Sequence, residues 1–314
     1  MTKDKTKTHN IDAVILWVNG NDDKHKIKIS KYVDNKNDIS LTKFRTRFDQ
    51  VNEIKFTIDS ILKFAPYIEN IHIITDEQTP KFLKKREIND YYEKVLIIDH
   101  KVVFKGFEEF LPTFNCRPIE TCMHRIPGLA EHFVYFNDDF FLIKHTKPTD
   151  FFRDGLPVLR GKWLKFDNDI FYKKLKKVRA GHKKAQQKAA QLIGLNKYYN
   201  FKHTPHPLRK STFEAYFQNN PNIFVENIKY KFRSENQFTP QGLANHIEIK
   251  NKTCTLISEL ELLYMRSYKK PLFLIKFIFL LKGNRKRFLG LQSLDQCPSK
   301  TLTFLTKWIE NRLN

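Results

Sequence analysis

The sequence predicts an α/β fold built on a mostly parallel sheet flanked by helices. Short β-branched apolar runs of strand length recur through the first half of the chain, segments of helical period alternate with them, and polar turns follow the strand ends. Residues 11–19, IDAVILWVN, read as a buried strand that ends in the turn Asn19-Gly20-Asn21-Asp22. In NEIKFTIDSILKF (52–64), Ile54, Ile58, Ile61 and Leu62 recur with the spacing of a helix with one buried face, and Pro66 stops it. IENIHIIT (68–75) and KVLIIDH (94–100) are two further strands, joined by a polar, helix-compatible stretch. Pro118 opens a helix expected to run to Leu129, with Glu120 near its positive end, and HFVYFND supplies the next strand.

Beyond residue 150 the pattern changes. KKLKKVRAGHKKAQQKAAQLIGLNK (173–197) reads as an exposed, basic helical excursion. KHTPHPLRKSTFEAYF (202–217) is a proline-punctuated loop leading into a helix, with Ser211 and Glu214 as a capping box, and Ser234 to Gln237 are expected to cap a further helix. A final amphipathic helix covers about 300–313. The resulting organisation is a disordered tail over 1–10 and a single domain over 11–314. Within that domain, 11–165 form an α/β core, 166–200 a basic helical insertion, and 201–314 a second half that completes the site.

The 314 residues are 41% hydrophobic, enough for a real core. Cys116, Cys122, Cys254 and Cys297 show no CxxC pairing and no zinc-finger spacing, which favours buried reduced thiols. MTKDKTKTHN has no apolar stretch of signal-peptide type, so the expected location is cytoplasmic. The apolar run PLFLIKFIFLL (271–281) is too short to cross a bilayer; a core helix is the favoured reading, and contact with the inner face of the plasma membrane is the alternative. A net charge of +22 calls for a polyanion, an anionic membrane surface or simple solvation.

Strands of such a sheet direct their ligands to the carboxyl ends, where Asn19 to Asp22, Thr75-Asp76, Asp99-His100 and Asn137 to Asp139 all fall. Burying two adjacent carboxylates outright costs several kcal/mol, so Asp138 and Asp139 are expected on the rim of a crevice. They suit Mg²⁺ or Mn²⁺, a general base, or a plain turn. Glu120 and His124, four apart, read as a hydrogen-bonded pair or as a surface ion pair. His203 and His206 suit proton transfer or phosphate clamping, and Arg233 offers a fork for phosphate; solvated loop residues are the alternative for all three. No GxGxxG, GxxxxGK[ST], GxSxG or HExxH occurs, so dinucleotide oxidoreductase, P-loop kinase, serine hydrolase and zincin readings lack their parts.

With these residues in view, the chain resembles the Stealth family of sugar-1-phosphate phosphotransferases, which includes bacterial capsular polysaccharide phosphotransferases and the animal N-acetylglucosamine-1-phosphotransferase. Four blocks carry the likeness. They are IDAVILWVNGND; a long block from FRTRFDQVNEIKFTIDSILKFAPYIENIHIITDEQTPKFL through LPTFNCRPIETCMHRIPGLAEHFVYFNDDFF; HTPHPLRKS with KFRSENQF; and FLGLQSLDQ. Asp59 stands where many members carry Arg, Arg117 where another side chain is usual, and QSLD replaces Cys-x-Asn-Asp, which leaves Gln292 and Asp295 without an assigned role.

The resemblance implies a Rossmann-like, glycosyltransferase A-like fold. It also implies transfer of a sugar-1-phosphate from a nucleotide-diphosphate sugar, such as a UDP-sugar, to a glycan hydroxyl in phosphate-linked capsular polysaccharide synthesis. Asp138 and Asp139 would hold Mg²⁺ or Mn²⁺, with one as base. His203, His206, Arg233 and Arg125 would meet phosphate charge or move the proton, Glu120 and His124 would orient the centre, and Trp17, Asn19, Gly20 and Asp22 would line the nucleotide end. The expected partners are the donor and an anionic glycan, with no nucleic acid. Two rival readings are a metal-dependent glycosyltransferase that releases UDP and a non-enzymatic nucleic-acid binder motivated by the charge.

Overall fold

Five strands form the main sheet: β1 (Ile11–Leu16), β2 (Ile68–Thr75), β3 (Val95–Asp99), β4 (His132–Phe136) and a late strand, His206–Arg209. Their spatial order is β3-β2-β1-β4 followed by the late strand, and the sheet is mostly parallel. β1 (IDAVIL) is rich in Ile and Val and β4 (HFVYF) in aromatics; both are buried almost throughout, as expected for a sheet covered on both faces. The computed structural model describes residues 9–33, 51–84, 90–169 and 181–314. Most of the expected tail, the FRTRF start of the second family block and the lysines before 181 lie outside the described residues.

Several expectations meet their elements closely. The helix Glu53–Phe64 buries Ile54, Ile58 and Ile61, and the last helix runs Ser299–Leu313. Others differ for physical reasons. Between β2 and β3 the described residues form only 3-10 turns, Lys81–Leu83 and Asp90–Tyr92. The helix expected over 118–129 starts at Cys116, capped by the Asn115 side chain, and ends at Cys122; a 3-10 turn, Met123–Arg125, follows before Ile126-Pro127. A residue before proline is disfavoured in the helical region, which stops the helix there.

The proline-punctuated loop contains the late strand, which pairs antiparallel with β4, Tyr135 opposite His206. It lies at the end of the sheet order, and Pro207 is tolerated in an edge strand because its missing N–H leaves no ladder bond unmade. The expected Ser211 capping box does not form. The next helix, Lys210–Asn219, is instead entered through Glu131, which accepts from the Ser211 backbone N–H at 3.1 Å and from its hydroxyl. Ser234 to Gln237 make a turn of their own, closed by the Gln237 side chain, and Thr239 precedes the helix Pro240–Asn251.

By internal contacts the chain divides into two compact units. The first takes in Met1–Val14, Ile98–Tyr135 and Lys147–Leu260. Its second sheet has strands Phe152–Arg153, Leu156–Leu164, Tyr198–Phe201 and Thr255–Ile257. The described part of the basic excursion, the helix His182–Leu192, is not exposed on all sides: Ala185, Ala189 and Ala190 are buried, Gln187 bonds Asp167, and Gln186 bonds the Phe201 carbonyl. Small alanines permit this close approach; both buried amides donate through their nitrogens, while the Gln186 Oε1 is buried without a hydrogen-bond partner.

The second unit takes in Ile15–Ile97, Phe136–Thr146 and Glu261–Asn314. Its three-stranded sheet has order Leu262–Met265, Phe288–Leu291 and β5 (Phe140–Leu142). Phe141, Leu263, Leu289, Ile275, Phe279 and Leu305 pack in its core. No helix among the described residues is long and apolar enough to cross a membrane.

Candidate active site

Within the second unit, Asn137, Asp138 and Asp139 form the turn that leaves β4 at its carboxyl end and enters β5. The Thr57 hydroxyl donates to the Asp138 carbonyl at 2.6 Å, and the Leu291 N–H donates to the Asp139 carbonyl at 3.1 Å. Backbone bonds from two other elements therefore fix the turn, and the carboxylates remain free of that duty. Both are half-buried. Burial pushes Asp138 up to about 6. Asp139 lies well above the usual carboxylate range, through burial and then the charges of Asp138 and Glu53. Glu53, in the first turn of its helix, is pushed up to about 7 by burial, then by Asp138, with Asp295 adding to it. Glu53 was not singled out from the sequence; its one signal was an acid beside the positive end of a helix. Asp295, unassigned from the sequence, belongs to the same acidic group by its effect on Glu53.

Burial and the neighbouring negative charges raise the proton affinity of these carboxylates, and a bound cation would offset that mutual repulsion. Among the described residues no group of three or more His, Cys, Asp or Glu side chains is arranged to hold a metal ion. Two adjacent carboxylates nonetheless match the manner in which Mg²⁺ is commonly held, by one or two carboxylates with substrate phosphates and water completing the shell.

A second group lies within the first unit. Glu120 is buried and accepts a hydrogen bond from the Tyr135 hydroxyl at 3.0 Å. Burial raises its proton affinity, opposed by that bond and by the charges of Arg233 and Arg117. The His206 ring stacks over Tyr135, its cross-strand partner, with centroids 6.5 Å apart. Arg233 is exposed and its guanidinium approaches the Cys116 sulfur at 3.3 Å. Arg117 is buried and donates to the carbonyls of Ser234 at 2.7 Å and Gly181 at 3.3 Å. His203 stacks on His182 at 4.9 Å.

These groups repel one another's protons. Burial and then His203, His206, Arg117 and Arg233 hold His182 well below the ordinary imidazole range, and burial with His203 lowers His206 to about 3. Imidazoles and guanidinium groups gathered this way are stabilised by a bound anion, which offsets their mutual repulsion. The sequence singles out His203, His206, Arg233 and Glu120 here; Cys116 and Tyr135 stand inside the long family block without a role of their own, and His182 carries no motif.

Two expected residues have other duties. His124 does not pair with Glu120: its Nδ1 lies 2.9 Å from the Thr121 carbonyl and its ring stacks on Phe213, 5.5 Å away and nearly parallel. Burial lowers it to about 3, so it is a neutral core residue. The α-helix ends between positions 120 and 124, which removes the four-residue spacing the pairing relied on. Arg125 donates to the carbonyls of Val103 at 2.8 Å and Lys105 at 2.6 Å and lies over Phe107, so its fork is committed to the fold.

At the end of β1, in the second unit, Trp17 is buried. The Asn19 backbone exchanges bonds with the Gln78 side chain at 2.8 and 3.1 Å, and Asp22 caps the helix Asp23–Ser30 through the His25 N–H. The Asn19–Asp22 segment is therefore a rigid turn. Its Asp22 carboxylate serves a helix end.

Residues 47–159 match the Stealth family by its conserved region 2, described as Stealth protein CR2, conserved region 2. The chain is 32% identical to the capsular polysaccharide phosphotransferase cps1A of Actinobacillus pleuropneumoniae over 244 residues, which cover 74% of this chain and 64% of that protein. Over residues 47–159 the chain belongs to the Stealth family. A second Stealth relative, the exopolysaccharide phosphotransferase cps2G of Lactiplantibacillus plantarum, is 41% identical over 148 residues, 47% of this chain and 41% of that protein. This Stealth chain thus spans less than two thirds of the length of these curated relatives. Similar solved structures include the galactosyltransferase LgtC, at 11% identity over 96% of this chain and 95% of that one, with a TM-score of 0.46. Another is the WbbM bifunctional glycosyltransferase, at 14% identity over 98% of this chain and 50% of that one, with a TM-score of 0.48. The α/β class rests on the sheet order of the chain itself.

Proposed function

We propose that this Stealth chain transfers a sugar-1-phosphate from a nucleotide-diphosphate sugar, such as a UDP-sugar, to a hydroxyl of a glycan acceptor during capsular polysaccharide synthesis. The acceptor oxygen bonds to the phosphorus that carries the sugar, the pyrophosphate P–O bond breaks, and the nucleoside monophosphate leaves with that electron pair. The sugar C1–O bond survives. The hydroxyl proton passes to a protein base.

Family membership and relatives named as capsular and exopolysaccharide phosphotransferases support this reading. The observation that carries it is the Asp138–Asp139 pair on a backbone-fixed turn at the carboxyl end of β4. Such a reaction asks for positioning, neutralisation of phosphate charge and removal of one proton. Asp138 and Asp139 would hold Mg²⁺ or Mn²⁺, which supplies charge neutralisation at the phosphates when bound. A carboxylate of this group with raised proton affinity is suited to accept the hydroxyl proton near neutral pH. Arg233, His203 and His206, with His182 stacked on His203, would meet anionic oxygens of the donor. Glu120, buried and bonded to Tyr135, would hold that hydroxyl, and through it the surface on which His206 stacks.

The test is product analysis with Mg²⁺, a panel of UDP-sugars and capsule oligomers. UMP together with a phosphodiester signal in phosphorus NMR is expected; release of UDP would make the protein an ordinary glycosyltransferase. Asp139→Ala and His203→Ala should each abolish turnover while the circular dichroism spectrum stays unchanged. Normal UMP release from both variants would refute the site assignment.

A further inference from the structure

The helix Leu272–Lys282 is apolar on two opposite sides. One side, Ile275 and Phe279, is buried in the core of the second unit against Phe304 and Trp308. The other carries Phe273, Leu274, Phe277, Leu280 and Leu281, of which Phe273 is 68% and Leu280 72% exposed. At 100° per residue these five fall within one stripe about 120° wide, centred opposite the buried side. Lys276 and Lys282 stand at the two margins between the sides, where a long side chain can lay its stem along apolar surface and lift its charge away. Exposed singly, such residues would mean little; five large ones side by side on one helix form a patch that requires a partner.

Charge identifies the partner. Between Glu261 and Asp295 the chain carries no acidic residue. Lys269 and Lys270 sit just before the helix, Lys276 within it, and Lys282, Arg285 and Lys286 at or just after its end; all but the half-buried Lys286 are exposed. Along the chain, cations therefore flank both ends of the helix with no acid interspersed in that stretch. A protein partner's groove would need matched carboxylates around an apolar slot, whereas an anionic lipid surface offers both requirements at once, acyl chains below and a sheet of negative headgroups above. At eleven residues the helix spans roughly 16 Å, about half a hydrocarbon core, so it can lie in an interface and cannot cross one.

We propose that the Leu272–Lys282 helix docks this protein on an anionic membrane, its Phe273–Leu281 face entering the interface and the flanking lysines and Arg285 engaging the headgroups. This surface is independent of the transferase reading, since it uses no residue of either chemical cluster.

The experiment is sedimentation of the full chain with vesicles of phosphatidylcholine alone or with about one third phosphatidylglycerol. Wild type should bind the anionic vesicles about tenfold more than the neutral ones and lose binding at high salt. Phe277→Asp combined with Leu280→Asp should remove binding, with an unchanged circular dichroism spectrum because both side chains are exposed. Lys269→Glu with Lys270→Glu and Lys282→Glu should reduce it while leaving the apolar stripe intact. Equal binding to both vesicle types, or binding indifferent to both variants, overturns the proposal. So does a wild-type dimer that ignores vesicles and becomes monomeric on Phe277→Asp, which would assign the face to a second copy of the chain.

Discussion

Arg125 commits both of its terminal nitrogens to the carbonyls of Val103 and Lys105, whereas Arg233 reaches the Cys116 thiol from an exposed position. In a sequence the two are the same residue type beside a plausible site, and only the placement of carbonyls 20 to 22 residues upstream separates them. Arg125→Met should therefore lower stability by about 1–3 kcal/mol in urea denaturation while leaving the turnover of the folded fraction near wild type. Arg233→Ala should do the reverse, with a raised KM for the donor and little change in the denaturation midpoint. His124 was misleading in the same manner: an imidazole four positions from a glutamate invites pairing, yet stacking on Phe213 and the Thr121 carbonyl claim it. Its consequence is acid sensitivity. With a folded value of about 3 against an ordinary 6.5, the unfolded chain binds the extra proton first, so stability is full above pH 6.5 and declines as pH falls toward 3. His124→Gln should show a lower melting temperature at pH 7.5 but a smaller further loss between pH 7.5 and 5 than wild type.

At the scale of elements, β1 and β2 were legible because burial along most of their length favours Val and Ile, and β3 because its β-branched run suits a strand although only Val95 is buried. The late strand His206–Arg209 was not, because Pro205 and Pro207 mark a loop in any local reading and only the edge position on β4 makes them admissible. That pairing also brings His206 over Tyr135, so the missed strand and the missed partner of Glu120 are one omission. The acidic turn after β4 was legible in kind, as a rim placement of costly charges, but its supports were not: Thr57 and Leu291 lie far away in sequence. Thr57 is fully buried and holds the Asp138 carbonyl at 2.6 Å. Thr57→Val keeps the shape and leaves that carbonyl without its donor, which should cost about 1–2 kcal/mol of stability. If Thr57 positions the turn, the apparent Mg²⁺ or Mn²⁺ requirement should also rise, and Thr57→Ser should restore it; a variant that loses stability alone would reduce Thr57 to packing.

For the molecule as a whole, the charge of +22 is the feature that no single site absorbs. The acidic group around Asp138 and the cationic group around Arg233 are local, and the described part of the basic excursion turns its alanines inward and leaves Lys183, Lys184 and Lys188 only partly covered. Surface cations distributed in this way contribute little to stability, because exposed charges are screened and well hydrated. Their effect is on encounter: a field of one sign raises the local concentration of an oppositely charged chain, and the Debye length limits its reach to about 10 Å at 0.1 M salt. A phosphate-linked glycan is a polyanion with many charges inside that reach, whereas a neutral oligosaccharide of the same length has none. Raising salt from about 0.05 to 0.5 M should therefore lower kcat/KM for the phosphate-linked acceptor several-fold while leaving kcat nearly constant. The same titration with a neutral acceptor should leave kcat/KM almost flat. If both acceptors decline in parallel, salt is acting on the metal or on the donor diphosphate, and the surface charge has no part in acceptor capture.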